Sequence, residues 1–432
     1  SEMCIRDRLN IMSNERSGFS SRLGFVLATA GSAVGLGNIW RFPYLAAKYG
    51  GGTFLLTYLI LTLTFGFSLM ITEVALGRKA GTSAIRAFGH FSKKHTFIGY
   101  LTTIIPFIIF PYYCVIGGWV TKYALISLQG GIHNAASDTF FTGFISKSAE
   151  PMICVLVFLI ATTVVVAGGV KGGVERVSTI MMPVLIVLLI GVSLFCITRP
   201  GAMAGVAYYL KPSLKGFGPT TILAALGQLF YSMSLAMGIM ITFGSYMPKK
   251  ADLEKSVTQV EIFDTGVAFL AGLMIVPAVF VFSNGDSSML AKGPSLMFVM
   301  LPKVFDSMAF SSVIAAVFFI LVLLAALTSS ISLLETLVAV LMDKFHMKRG
   351  TACITMFIIA LLLAVPSSLG FGAWSNITIL GFDFLDFFDF ISNSVLMPIA
   401  AFLTCLFVGY IIKPKVIVDE VESSGKFKSC LL

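Results

Sequence analysis

The sequence predicts an all-α integral membrane protein. Three observations carry that prediction: a composition that water-soluble folds cannot bury, ten long apolar runs between charged loops, and two interrupted runs at matching places in two halves of the chain. Of the 432 residues, 57% are hydrophobic and 12% are charged. A soluble domain carries roughly twice that share of charge, and a soluble fold with this composition would expose large apolar patches. A bilayer accepts such side chains directly, provided every backbone polar group is satisfied within the helices.

A spanning helix needs about 20 apolar residues. Runs of that kind lie near 20–45, 51–77, 97–126, 151–167, 177–198, 219–246, 257–282, 306–341, 350–366 and 384–412. The last is read as one helix, because no polar break divides it. Residues 1–17 form an N-terminal tail whose first ten or so residues look foreign to the rest of the chain. Residues 18–412 form the membrane domain, with halves 18–199 and 219–412. Residues 413–432 form a C-terminal tail, either natural or truncated.

The net charge of +9 does not point to nucleic acid here. Most basic residues fall in segments on one side of the predicted spans, which places both termini in the cytoplasm. The seven Cys are scattered with no zinc or redox spacing, and the four His lie in polar segments. Neither a nucleophile and base nor a metal cluster stands within the spans, so no enzyme is indicated.

The first span reads Ala30-Gly31-Ser32-Ala33-Val34-Gly35-Leu36-Gly37-Asn38 at its middle, and the sixth holds Ser232 and Ser234 between Gly227 and Gly238. Small residues alone often mark a helix-packing face. Interrupted helices at corresponding positions of two halves point instead to a central solute site. An unwound turn offers amides to a carboxylate, and carbonyls and hydroxyls to a hard cation. Four acids fall inside spans: Glu73, Asp264, Glu335 and Asp389. Intramembrane acids are costly and usually functional. Asp264 is assigned a functional role. Glu73 and Glu335 are read as either functional or as caps for unwound segments. Glu261 lies nearer the cytoplasm, where solvation accounts for it. The run Thr328-Ser329-Ser330 alone is best explained by bonds to its own helix carbonyls.

With those residues in place, the sequence resembles the neurotransmitter:sodium symporter family, in its bacterial amino-acid branch. The match is strongest from Ser21-Arg22-Leu23-Gly24-Phe25 through Gly31 to Tyr44 and into Lys48-Tyr49-Gly50-Gly51-Gly52. It recurs at Tyr112-Tyr113, at Gly227 to Ser232 and at Leu327 to Ser330. The resemblance implies a five-plus-five inverted-repeat transporter core with broken first and sixth helices. It implies import of a neutral, hydrophobic or aromatic amino acid by alternating access, coupled to two sodium ions, in the cell (inner) membrane. One ion would take Ala33, Asn38, Ser232, Asp264 and the substrate carboxylate. The other would take Gly31, Val34, Ala325, Thr328 and Ser329. The substrate would meet Leu36, Gly37 and Tyr113 through its carboxylate. Its side chain would meet Ser32, Ala33, Ile109, Tyr231, Ser232, Ser234, Met237, Ser329 and Leu333. Arg41 and Asp389 would gate the outside, with Tyr113 and Tyr231 as a lid. Arg16 and Asp343 would gate the inside, with Phe19 as the inner aromatic.

The animal branch often has Asn where Asp264 stands and borrows chloride, so a fixed carboxylate implies chloride independence. Monoamine carriers place an acid where Gly35 stands, so its absence favours a substrate that brings its own carboxylate. A proton-coupled carrier of the same fold is the alternative; it would need a titratable group such as Lys near Thr328 and Ser329, and none is there. The oligomeric state is open.

Overall fold

The computed structural model describes residues 18–213, 217–283, 296–308 and 310–425. Among the described residues, eight helices are each long and apolar enough to cross a bilayer: Gly52–Ala80, Lys93–Leu128, Ala149–Ala167, Val170–Ile197, Leu253–Phe282, Ser311–Phe345, Arg349–Leu369 and Phe384–Ile412. Two further spans are each made of two short helices. The first is Arg22–Ala33 followed by Gly37–Lys48, bent by 50°. The sixth is Pro219–Ser232 followed by Ile239–Tyr246. Neither piece of the sixth is long enough to cross alone, but end to end they are. Counted so, the described residues form ten spans in two sets of five, with the first of each set broken. The final span is one helix, as the sequence predicts. The eighth begins at Ser311, because a separate short helix, Leu301–Asp306, precedes it.

Short helices Ile132–Ala135, Phe140–Ile145 and Ala202–Leu210 lie between spans. Lys415–Glu422 forms a helix in the C-terminal segment. It is tied to the end of the second span, where the buried Arg78 pairs with Glu420 at 2.8 Å and donates to the Ala251 carbonyl at 3.0 Å. Arg16 and the extreme termini lie outside the described residues.

The third and eighth spans pack along each other, and both halves of the first span pack on the seventh. Pro106 and Pro111 lie within the third span, where each removes a backbone donor and favours a kink. That span carries Ile109, Tyr112 and Tyr113 inward, all buried.

The two breaks differ in construction. The first passes through residues 34–36 in right-handed or extended backbone, with Val34 at φ −74° and ψ 97°. The second spans residues 233–238 and places Ser234, Ala236 and Gly238 at φ 52°, 61° and 73°. Left-handed backbone costs a non-glycine residue about 1–2 kcal/mol, so something must hold it. Glu73 does: its Oε1 accepts from the Ala236 amide at 2.8 Å in a fully buried setting. Glu335 has a different station, paired with Arg349 and accepting from the Tyr246 hydroxyl at 2.9 Å.

Candidate functional site

The two breaks face one another across the middle of the molecule. Ser234 Oγ donates to the Ser32 carbonyl at 3.1 Å, and Ser32 Oγ lies 3.3 Å from Ser234 Oγ. Two clusters of polar groups flank this junction.

The first cluster centres on Asp264, which the seventh span carries in with no exposed surface. Its carboxylate accepts from Asn38 Nδ2 at 2.7 Å, from Ser232 Oγ at 3.0 Å and from the Tyr58 hydroxyl at 3.2 Å. Asn38 Oδ1 in turn accepts from the Gly35 amide at 3.2 Å. All these donors are neutral, and among the described residues no Lys or Arg pairs with Asp264. A buried carboxylate without a positive partner is strongly disfavoured unless it binds a cation or a proton.

The second cluster joins the first and eighth spans. Ser329 Oγ donates across to the Ser32 carbonyl at 3.0 Å and lies 3.5 Å and 3.4 Å from the carbonyls of Gly31 and Val34. Its neighbours turn back to their own helix, although Ser330 Oγ also lies 2.8 Å from Thr162 Oγ1 of the fourth span. Thr328 Oγ1 returns to the Ala325 carbonyl at 3.0 Å and Ser330 Oγ to Leu327 at 2.9 Å. Carbonyls of span one thus converge on the Ser329 hydroxyl of span eight, in a set of hard, neutral oxygens suited to a monovalent cation.

Between these clusters lies a narrow cavity, with about 30 Å³ open to the centre of a water-sized molecule. Ser32, Ala33, Leu36, Gly37, Ile109, Tyr113, Tyr231, Ser234, Met237, Ser329 and Leu333 line it, together with Gly35 and Ile239. Ser232, expected on its wall, is turned toward Asp264. The Leu36 amide and the Tyr113 hydroxyl converge at 3.4 Å, at the start of the upper half of span one. That pair can receive a carboxylate. Gly35 leaves no room for a side chain, since a Cβ there would lie 2.4 Å from Ser329 Oγ.

Above the cavity, the Arg41 guanidinium sits 5.2 Å from the Tyr231 ring centre and reaches the Gly227 carbonyl at 3.4 Å. Asp389 accepts from Tyr112 at 3.2 Å and from Asn393 at 2.5 Å. Each of the two expected outer-gate charges thus has partners of its own here: Arg41 the Tyr231 ring and the Gly227 carbonyl, Asp389 the Tyr112 hydroxyl and Asn393. Below the cavity, Asp343 accepts from the Ser83 amide at 2.7 Å, while its expected partner Arg16 lies outside the described residues. Phe19 packs edge-on against Phe25, Phe243 and Tyr246. Glu261, expected to be solvated, is 5% exposed, and its Oε1 has no partner among the described residues. The buried face of the seventh span thus extends one turn further toward its N-terminal end than the sequence suggests.

Sequence reasoning missed Tyr58, which binds both Asp264 and Ser232, and Gln228, whose Nε2 donates to the Gly37 carbonyl at 2.9 Å. A lone tyrosine in an apolar span gives little signal. Gln228, an amide within an apolar run beside Gly227, gives a clearer one, since a buried amide needs a partner.

The chain matches the model of the sodium:neurotransmitter symporter family over residues 16–142 and 141–432. "Uncharacterized sodium-dependent transporter YhdH" of Bacillus subtilis is 36% identical over 412 residues, covering 94% of this chain and 90% of its own. "Sodium- and chloride-dependent GABA transporter 2" of Homo sapiens is 27% identical over 380 residues, covering 77% of this chain and 62% of its own. The crystal structure of MhsT in complex with L-phenylalanine aligns with a TM-score of 0.88 at 39% identity, covering 96% of this chain and 94% of that one.

Proposed function

Because the chain belongs to the sodium:neurotransmitter symporter family, and so is a sodium-dependent transporter, we propose that it imports a neutral, hydrophobic or aromatic amino acid together with two sodium ions. The observation that carries this reading is Asp264: a buried carboxylate with only neutral donors around it, beside a cavity lined by Ala33 and Tyr113. One sodium ion, held by Ala33, Asn38, Ser232 and Asp264, neutralises that charge. The substrate carboxylate, received by Leu36, Gly37 and Tyr113, completes the ion's shell. Each ligand then raises the other's affinity by the same factor. The second ion, at Gly31, Val34, Ala325, Thr328 and Ser329, ties the lower half of span one to span eight.

The apolar wall of Ile109, Met237, Ile239 and Leu333 favours an apolar side chain. Phenylalanine in the similar MhsT structure supports an aromatic one. The cavity is narrow, so Met237, which is unbranched and adaptable, is the side chain expected to move for cargo. Arg41 and Asp389 guard the outer side, Asp343 with Arg16 the inner side. Both termini face the cytoplasm across the cell (inner) membrane.

The fixed Asp264 charge replaces a bound anion, so transport is independent of chloride, unlike that of the GABA transporter named above. Uptake of labelled amino acids into proteoliposomes tests this, with a sodium, potassium or pH gradient as the sole driving force. Sodium-driven, chloride-insensitive uptake of an apolar amino acid is expected. A pH gradient that suffices without sodium would favour proton coupling, and collapse of uptake in gluconate would overturn chloride independence.

A further inference from the structure

We propose that Glu175 is an inner lock on the first span, a positioning residue that holds the foot of its lower half until the site opens to the cytoplasm. The proposal rests on the alternating-access reading above and adds to it a residue outside the expected Arg16–Asp343 gate.

The lower half of span one, Arg22–Ala33, is severed from the upper half by the break and carries Gly31, Ser32 and Ala33 at its top. It is a short lever, and a shift of its foot moves the cavity wall. Three ties fix that foot. The Phe19 amide donates to the Tyr246 carbonyl at 3.0 Å, and Arg22 reaches Gln259 Oε1 at 2.8 Å. Those acceptors are neutral. The third is a carboxylate: Glu175 Oε2 accepts from the Ser20 amide at 2.8 Å, and Oε1 accepts from Ser20 Oγ at 2.5 Å. Ser21 Oγ lies 3.5 Å from Oε1 and caps the helix by accepting from the Gly24 amide.

Two further observations make this a built contact. Glu175 is 6% exposed, and no Lys or Arg among the described residues pairs with it. Its donors come from the foot of span one. Gly24 opens the slot the carboxylate occupies, since a Cβ there would lie 1.8 Å from Glu175 Oε1. Hydrogen bonds to a charged acceptor are among the stronger ones when water is excluded. Water entering from the cytoplasm offers the same carboxylate equivalent donors. Such a contact is firm while dry and yields once wet, as a reversible gate requires.

Hydrogen–deuterium exchange of peptides covering residues 18–33 tests the lock on purified full-length protein, in sodium and in potassium. Glu175→Gln keeps the shape but removes the charge and one acceptor. It is expected to speed exchange of that segment by about ten-fold in potassium, with sodium slowing it again at concentrations higher than the wild type needs. Ser20→Ala should act in the same direction, and the double variant should go no further than Glu175→Gln. Exchange within two-fold of wild type in Glu175→Gln overturns the proposal. So does faster exchange spread equally over peptides of the third and eighth spans, or additive effects in the double variant. Absence of any sodium effect on the wild type would count against sodium coupling alone, because the comparison in potassium still reads the lock.

Discussion

The break in the first span and the break in the sixth solve one problem in opposite ways. The first has no left-handed residue and is faced by a hydroxyl of a neighbouring helix, with Ser329 meeting the carbonyls of Ser32 and Val34. The sixth holds three left-handed residues and is pinned from behind by Glu73. An unwound turn satisfied by neutral hydroxyls can exchange them for an ion at little cost. One satisfied by a buried carboxylate cannot rearrange without stranding a charge or an amide. The first break is thus suited to be the part that binds and moves, and the sixth the part that stays.

Asp264 joins the two broken spans beside their breaks, since it takes Asn38 from just past one and Ser232 from just before the other. Asp264→Ala should have the largest effect of any single change. Removing the charged member of a buried polar cluster costs about 3–5 kcal/mol, or more than a hundred-fold in sodium affinity. A sodium titration of uptake or of scintillation-proximity binding measures it. Retention of sodium affinity within ten-fold would separate Asp264 from cation binding.

Glu73→Ala probes the sixth break alone. It leaves the Ala236 amide buried without an acceptor, which costs about 1–3 kcal/mol of stability. Thermal unfolding in detergent should show a lowered midpoint, while Glu73→Gln, which keeps an acceptor, should stay near wild type. Equal loss in both would mean that the charge matters rather than the amide. Ser329→Ala probes the first break. Loss of one neutral oxygen is worth about 1 kcal/mol, roughly five-fold in sodium affinity, with the unfolding midpoint little changed. If Ser329→Ala instead lowers stability as much as Glu73→Ala does, the two breaks are alike and the contrast fails.

Much of this arrangement was legible in the sequence because it is written in backbone-breaking residues. Glycine at 31, 35 and 37, and Ser232 and Ser234 near Gly238, mark both interruptions, and the intramembrane acids mark what surrounds them. What stayed hidden depends on which neighbour a side chain meets. Arg41 and Asp389 carry opposite charges at suitable depths, yet each bonds elsewhere. Thr328, Ser329 and Ser330 are chemically alike in sequence, and only packing against span one singles out Ser329. Glu175 follows Gly172 and Gly173 near the start of the fifth span and gives no sign that its donors lie 155 residues away.

The smallest predicted effect decides how far the charged junction extends. Tyr58 reaches it from the second span, with its hydroxyl 3.2 Å from both Ser232 Oγ and Asp264 Oδ2. Its ring packs edge-on against Phe42 at 4.9 Å. Tyr58→Phe keeps that packing and removes one neutral donor from the Asp264 carboxylate. A single hydrogen bond of this kind is worth about 1 kcal/mol, so sodium affinity should shift by at most about five-fold. The sign is informative. If the hydroxyl only stabilises the bare carboxylate, its loss makes Asp264 bind sodium more tightly, because the ion then competes with one donor fewer. If it orients Ser232 and Asp264 for the ion, binding weakens. Sodium titration of Tyr58→Phe beside wild type separates the two, with the substrate KM at saturating sodium expected to stay unchanged. A changed KM with unchanged sodium affinity would remove Tyr58 from the ion cluster and leave Asn38, Ser232 and Asp264 as its full extent.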